Sequence, residues 1–242
     1  MNTTTWTHII PKKVLPVVII CRDIVSSLSS LVSWFENAGH ENIILLDNNS
    51  TYPPLLEYLS KSSHEVIRLG TNMGHKSPWS SGLVSRFDNK TPFVITDPDL
   101  LPDPEAPADS FEYFQEVLLR YVDFDKIGFG LHIDDLPTYY PFREQVINWE
   151  SPFWANEIEP KVFKAHLDTT LALHRPKTLY KVTEALRTGF PYLAKHLPWY
   201  QNPYNPNEET AYYLEHRDDS IGYWNRQSLH PKVKNHFASR NK

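Results

Sequence analysis

Two aspartates separated by one proline, Asp97 and Asp99, close the apolar run of FVITDPDLLP (residues 93–102). Carboxylates this close repel and raise each other's proton affinity unless a cation or a tight turn relieves them. A hard divalent cation such as Mg²⁺ or Mn²⁺ provides that relief, because it takes carboxylate oxygens together with phosphate oxygens and water. The simpler alternative is an aspartate capping a turn ahead of Pro102. Other polar residues also follow apolar runs. Arg22 and Asp23 follow LPVVIIC, Asp47 to Asn49 follow NIILL, and Asn72 follows HEVIRL.

The elements that would hold these residues alternate. LPVVIIC is a strand, SLSSLVSWFENAGH a helix stopped at Gly39, NIILLD a strand, and YPPLLEYLSKS a helix with prolines at its start. HEVIRL is a third strand, a helix begins near NMGHKSPW, and PFVITDPD is a fourth strand. Strand and helix at this rhythm predict an α/β fold with a mostly parallel sheet covered on both faces. Ligands of such sheets sit beyond the carboxyl ends of the strands, so the polar strand ends would line one crevice. After Pro107, DSFEYFQEVLLRYV predicts a helix with Asp109 and Glu112 in capping-box spacing. IGFGLHI reads as a strand, FREQVINWESPFW as a short helix, and HLDTTLALHRP as a strand. The rest reads as aromatic and irregular. No repeat or linker divides the 242 residues, which predicts one domain, residues 1–242.

Composition narrows the function. A formal net charge of −5 speaks against nucleic acid as the main partner, although the tail PKVKNHFASRNK is mildly basic. The single cysteine, Cys21, permits no internal disulfide and no paired-cysteine metal site. No run of about 20 apolar residues is present to span a bilayer, which leaves peripheral membrane contact open. MNTTTWTH lacks the build of a signal peptide, so a cytoplasmic setting is expected.

In order and spacing, LPVVIICRD, IILLDNNSTYPPLLEYL, RLGTNMGHKSPW and FVITDPDLLP resemble a family 2-type glycosyltransferase of the GT-A fold. The likeness covers about residues 15–102, and 103–242 would then form the acceptor-binding half. It implies a sugar moved from a nucleotide-diphosphate donor, UDP-linked by expectation, to a glycan or glycolipid, with inversion at the anomeric carbon. It further implies that Asp97 contacts the nucleotide ribose or the metal and that Asp99 coordinates Mn²⁺ or Mg²⁺. Asp47 would contact the base, although it equally suits a turn cap. Asn72 and Gly74 would pack against the nucleotide, with His75 and Lys76 close enough to donate to phosphate.

Inverting transfer needs a carboxylate base. The family's acidic pair at the head of a helix is not plain in this sequence. Asp168, which interrupts an apolar stretch, is the first candidate, and Glu208 and Glu209, in the helix-heading NPNEETAYY, follow; Thr169 or Thr170 would satisfy Asp168 in the plainer reading. His196 in KHLPWY is a candidate third metal ligand. Trp149, Trp154, Trp199, Tyr200 and Trp224 are candidate sugar platforms, though aromatic core is the commoner fate. A haloacid-dehalogenase-type phosphatase is the enzymatic alternative, with Asp97 as nucleophile and IDDLP (residues 133–137) as its later acidic pair. A nucleotidyltransferase is disfavoured because CRDIVSSLSS has no glycine. A non-catalytic carbohydrate-binding protein is the third class.

Overall fold

The computed structural model describes residues 6–217; Trp224 and the basic tail lie outside the described residues. Four strands form the first half of one sheet: β1 (Val17–Cys21), β2 (Ile43–Asp47), β3 (Glu65–Arg68) and β4 (Phe93–Thr96). They run parallel in the order β3-β2-β1-β4. Helices α1 (Ser26–Asn37), α2 (Pro53–Lys61) and the short α3 (Ser77–Ser80) connect them. The apolar runs are continuous because both faces are covered. Val17, Ile19 and Cys21 pack with Leu28, Leu31 and Phe35 of α1, whereas Val18 and Ile20 pack with Leu83 and Val84 on the other face.

Local signals set the helix ends. Pro53 and Pro54 occupy the first turn of α2. Beyond α1, Gly39 takes φ +89° and its N–H donates to Glu36 O at 2.9 Å.

The second half contributes β5 (Leu100–Pro102), α4 (Ser110–Arg120), β6 (Lys126–Leu131), α5 (Arg143–Glu150), β7 (Glu157–Glu159), β8 (Val162–Lys164), β9 (Ala172–His174), β10 (Ala185–His196) and α6 (Glu208–His216). The sheet continues β4-β9-β6-β10-β8-β7, and β5 also pairs with β10. Among the described residues, ten strands thus form one mixed sheet flanked by helices.

Several sequence expectations are corrected. The sheet is mixed rather than mostly parallel, because β9 enters antiparallel between β4 and β6, and β5, β7 and β8 are also antiparallel. The supposedly irregular C-terminal part holds the longest strand, β10, with 12 residues. Its register shifts between Thr188 and Leu193, which breaks the alternation that marks a strand in sequence. The strand expected in HLDTTLALHRP shrinks to Ala172–His174. The predicted capping box at Asp109 does not form: Asp109 makes no side-chain cap bond.

One glycine matters for the site. A Cβ on Gly128 of β6 would lie 2.9 Å from the carbonyl oxygens of Thr170 and Leu171. Only glycine lets the 168–171 loop press this closely on the strand.

Candidate functional site

After β3 the chain crosses back to place β4 on the other side of β1. The crevice beyond β1 and β4 is therefore the topological switch point, where open α/β sheets hold ligands. Arg22 and Asp23 edge it from β1, and Asp97 and Asp99 edge it from β4.

On the β2 side, Asp47 is buried and its Oδ1 accepts from Ser50 N at 2.9 Å, so its contacts favour the turn-capping role. Asn48, read in the sequence only as part of the polar strand end 47–49, is the organiser. Its Nδ2 donates to Asn72 Oδ1 at 2.9 Å and to Gly74 O at 3.2 Å, and its Oδ1 accepts from Met73 N at 2.7 Å. Asn72 Oδ1 also accepts from Gly74 N at 2.9 Å, closing a turn in which Gly74 has φ +66°. No atom lies within 4 Å of where a Gly74 Cβ would sit, so this backbone is open to a ligand. The expected helix here is only a short 3₁₀ turn followed by α3. His75 and Lys76 emerge beside Tyr180, with the His75 ring 5.2 Å from its ring and Lys76 Nζ 4.8 Å from its centroid.

At the end of β4, Asp97 Oδ2 accepts from Thr169 Oγ1 at 2.5 Å, and Asp97 N donates to Thr169 O at 3.2 Å. Burial first, then the neighbouring Asp99 and Asp168 charges, push the Asp97 carboxyl well above the usual range, against the pull of the Thr169 bond. Three residues on, β5 pairs antiparallel with β10 so that Leu100 faces His196. That register brings His196 Nε2 to 3.5 Å from Asp99 Oδ2, longer than a good hydrogen bond. His196 Nδ1 is buried with no hydrogen-bond partner, and the ring leans on Trp199 at 4.6 Å. Two of the three sequence-predicted metal ligands, Asp99 and His196, thus come together at the crevice, with Asp97 on the same turn as Asp99. Carboxylate oxygens and imidazole are donors that a hard divalent cation accepts, whereas the described residues whose ligand atoms already converge within 4.8 Å of one another are His132, Asp134 and Asp135.

Asp168 does not interrupt a strand; it is exposed in the loop before β9. Its Oδ1 accepts from Tyr180 Oη at 2.6 Å. Lys126 Nζ donates to Asp168 O at 3.0 Å from a side chain 1% exposed. Burial lowers the Lys126 ammonium to about 8 against the opposing pull of Asp168. Tyr180 and Lys126 escaped the sequence reading, and Thr169, expected to satisfy Asp168, bonds Asp97 instead. Only Lys126 left a signal, a lysine opening an apolar strand.

Glu209 heads a helix as expected but is committed elsewhere. Its Oε1 accepts from Val25 N at 2.5 Å and Ser26 N at 3.0 Å, and Oε2 accepts from Ser26 Oγ. It caps α1 rather than facing Asp97. Of the candidate sugar platforms, Trp199 is core at 3% exposure, and Trp154 packs over Phe163 with ring centroids 5.2 Å apart. Tyr200 Oη donates to Asp135.

A second acidic group lies across β10. His132 Nε2 contacts Asp103 and its Nδ1 lies 3.3 Å from Asp134 Oδ1, while Lys195 Nζ meets Asp135 Oδ2 at 2.5 Å. Among the described residues no helix is long and apolar enough to cross a membrane.

No protein-family model matches this chain, and no curated protein matches it. Among solved structures, one described as the crystal structure of a mycobacterial protein is similar at 9% identity and a TM-score of 0.42. The match covers 76% of this chain and 68% of that one, and a likeness so slight carries no argument about function.

Proposed function

We propose that this protein is a metal-dependent glycosyltransferase of GT-A type, using a nucleotide-diphosphate sugar as donor and a glycan or glycolipid as acceptor. The observation that supports the reading is the approach of His196 to the DPD turn at the switch-point crevice, with Asp99 Oδ2 3.5 Å from His196 Nε2. The antiparallel β9 between β4 and β6 supports it as well, because its preceding loop delivers Asp168 and Thr169 to the DPD turn.

Asp97, Asp99 and His196 would hold Mn²⁺ or Mg²⁺, whose chemistry is to draw charge from the departing diphosphate. The chain's own residues do the rest. Thr169 fixes the Asp97 carboxylate, and the Asn48–Asn72 clasp presents the open backbone at Gly74. His75 and Lys76 donate to phosphate oxygens from the facing turn. Asp168, oriented by Tyr180, receives the acceptor hydroxyl proton. Asp47 stays with its turn.

A thermal-shift panel of nucleotide diphosphates with and without Mn²⁺ tests the proposal. Stabilisation by one nucleotide, dependent on Mn²⁺ and lost in Asp99→Asn, is the expected result. Absence of stabilisation by every nucleotide under both conditions defeats it. Metal-dependent release from an aryl phosphate would instead favour the phosphatase reading.

A further inference from the structure

Helix α1 is a 12-residue helix with no acidic residue in its first turn and no side-chain cap from its own N-cap, Val25. Its free N–H groups and macrodipole call for an anion. Glu209 answers from 183 residues away: Val25 N, Ser26 N and Ser26 Oγ all point at one carboxylate. This turn follows β1 at the switch point, where α/β sheets seat phosphoryl groups on a helix N-terminus.

Two further observations point to a ligand rather than a cap alone. Ser27 Oγ is buried, at 9% residue exposure, and has no hydrogen-bond partner. Ser27 lines a small cavity with Asp99, Glu209 and Thr210 that has room for about one water molecule. Arg22, on the same turn, donates only to the carbonyl oxygens of Asn48 (2.8 Å), Asn49 (3.0 Å) and His216 (3.3 Å). Among the described residues no carboxylate pairs with it, and its Nε is buried without a partner. A helix N-terminus with an unused hydroxyl makes an oxyanion site, and the protein's own glutamate fills it; Arg22, which has no described carboxylate partner, lies on the loop leading into it.

We propose that the α1 N-terminus is a binding site for the phosphoryl group of a ligand, and that Glu209 is a built-in occupant which this group displaces, releasing α6 from the crevice. Besides Glu209, α6 would give up contacts at Thr210, whose Oγ1 lies 3.3 Å from Gln201 Oε1, and at Tyr212 and His216. Tyr212 Oη donates to Thr51 Oγ1 at 3.1 Å, its ring lies 4.8 Å from Tyr52, and Arg22 holds His216 O. In the closed state α6 covers the ends of β1 and β2; in the open state the crevice gains an anion site beside Asp99. A divalent cation held at Asp99 would strengthen phosphoryl binding there. The inference needs no sugar transfer, since any phosphoryl-bearing ligand satisfies it.

Inorganic diphosphate is the probe, used on the full chain with and without Mg²⁺, with no nucleotide present. Calorimetry should show diphosphate binding Glu209→Ala about tenfold more tightly than the wild type, the size of a typical coupling between competing occupants. The gain should vanish in the Glu209→Ala/Arg22→Gln double variant. In the wild type, diphosphate should speed amide hydrogen exchange across Glu208–His216 while protecting Ser26 and Ser27. The exchange measurement needs no substitution, so it decides the matter even if Glu209→Ala fails to fold. Equal affinity in wild type and variant, or exchange in α6 that diphosphate leaves unchanged, overturns the proposal. Neither failure touches the nucleotide-and-Mn²⁺ test of the transferase reading.

Discussion

Two acidic groups sit on either side of β10, and they are built on opposite principles. In the first, Asp97, Asp99 and Asp168 are met mainly by hydroxyls, from Thr169 and Tyr180, and by one long contact to His196. In the second, Asp103, Asp134 and Asp135 are met by His132 and Lys195, so the protein supplies its own positive charge. Their proton affinities diverge accordingly. Asp97 is pushed up, by burial first and then by like charges. Asp135 is pulled down: burial resists, but the bonds from Lys195 and Tyr200 prevail. The same residue type thus reports two states, one charge-deficient and one neutralised. Lys126 reaches only the backbone oxygen of Asp168, so no described lysine or arginine is ion-paired with these carboxylates, and such a group gains most from an external cation.

The largest expected effect breaks the first group at its cation. Asp99→Asn should abolish Mn²⁺-dependent nucleotide stabilisation and lower transfer by about 10³-fold, the scale of losing a major stabiliser of developing charge. His132→Asn, in the second group, should leave Mn²⁺ dependence intact. Equal losses in the two variants would erase the distinction between the groups.

Next in size is a gain rather than a loss. Because Asp97 is raised in the folded state, the native chain binds more protons than the unfolded one, and its stability falls as pH rises past the usual aspartate value of 3.8. Asp97→Asn should therefore stabilise the metal-free protein by about 1–3 kcal/mol at neutral pH, and by less as pH approaches 4. Urea titrations at several pH values measure this. A site whose removal stabilises the fold is held for function rather than for structure.

How much of this was legible depends on where each contact partner lies along the chain. Strands β1, β2 and β4 announced themselves because strands buried on both faces read as unbroken apolar runs with polar ends, and Asp97 and Asp99 came with them. His196 was found as a residue type, but the pairing that puts it on Asp99 was not, because β10 hides behind the register shift at Thr188–Leu193. The pairing of Thr169 with Asp97 was invisible because it arrives through a loop whose approach depends on Gly128, and Tyr180 because it reaches Asp168 from the connection between β9 and β10. Glu209 was legible as the head of a helix. Its role was not, because the turn it caps is distant in sequence and carries no sign of lacking its own cap.

The second group sharpens the comparison through the opposite pH sign. Burial works against the His132 imidazolium, but the bonds to Asp103 and Asp134 hold its proton affinity above the ordinary value of 6.5. Its stabilisation is therefore fully present below pH 6.5 and disappears as pH rises through the folded-state value. Solvent screening limits the contribution to about 1 kcal/mol or less. Comparing the wild type with His132→Asn in urea at pH 6 and pH 9 should show a difference only at the lower pH. A difference unchanged between the two would mean that the ring packs rather than pairs.

The smallest effect tests whether Asp168 belongs with the first group. Tyr180 Oη holds Asp168 Oδ1 at 2.6 Å, while the same ring supports Lys76 from one face and stacks edge-on with Trp79 at 5.5 Å. Tyr180→Phe keeps the ring and removes only the hydroxyl, so Lys76 and Trp79 keep their support while the carboxylate loses its orienting donor. The fold should lose about 1 kcal/mol. A base swung out of line lowers turnover but not donor binding, so kcat should fall by about tenfold with nucleotide affinity unchanged. If instead nucleotide affinity falls and kcat holds, Tyr180 serves the His75–Lys76 turn, and Asp168 has no part in the chemistry at Asp97 and Asp99.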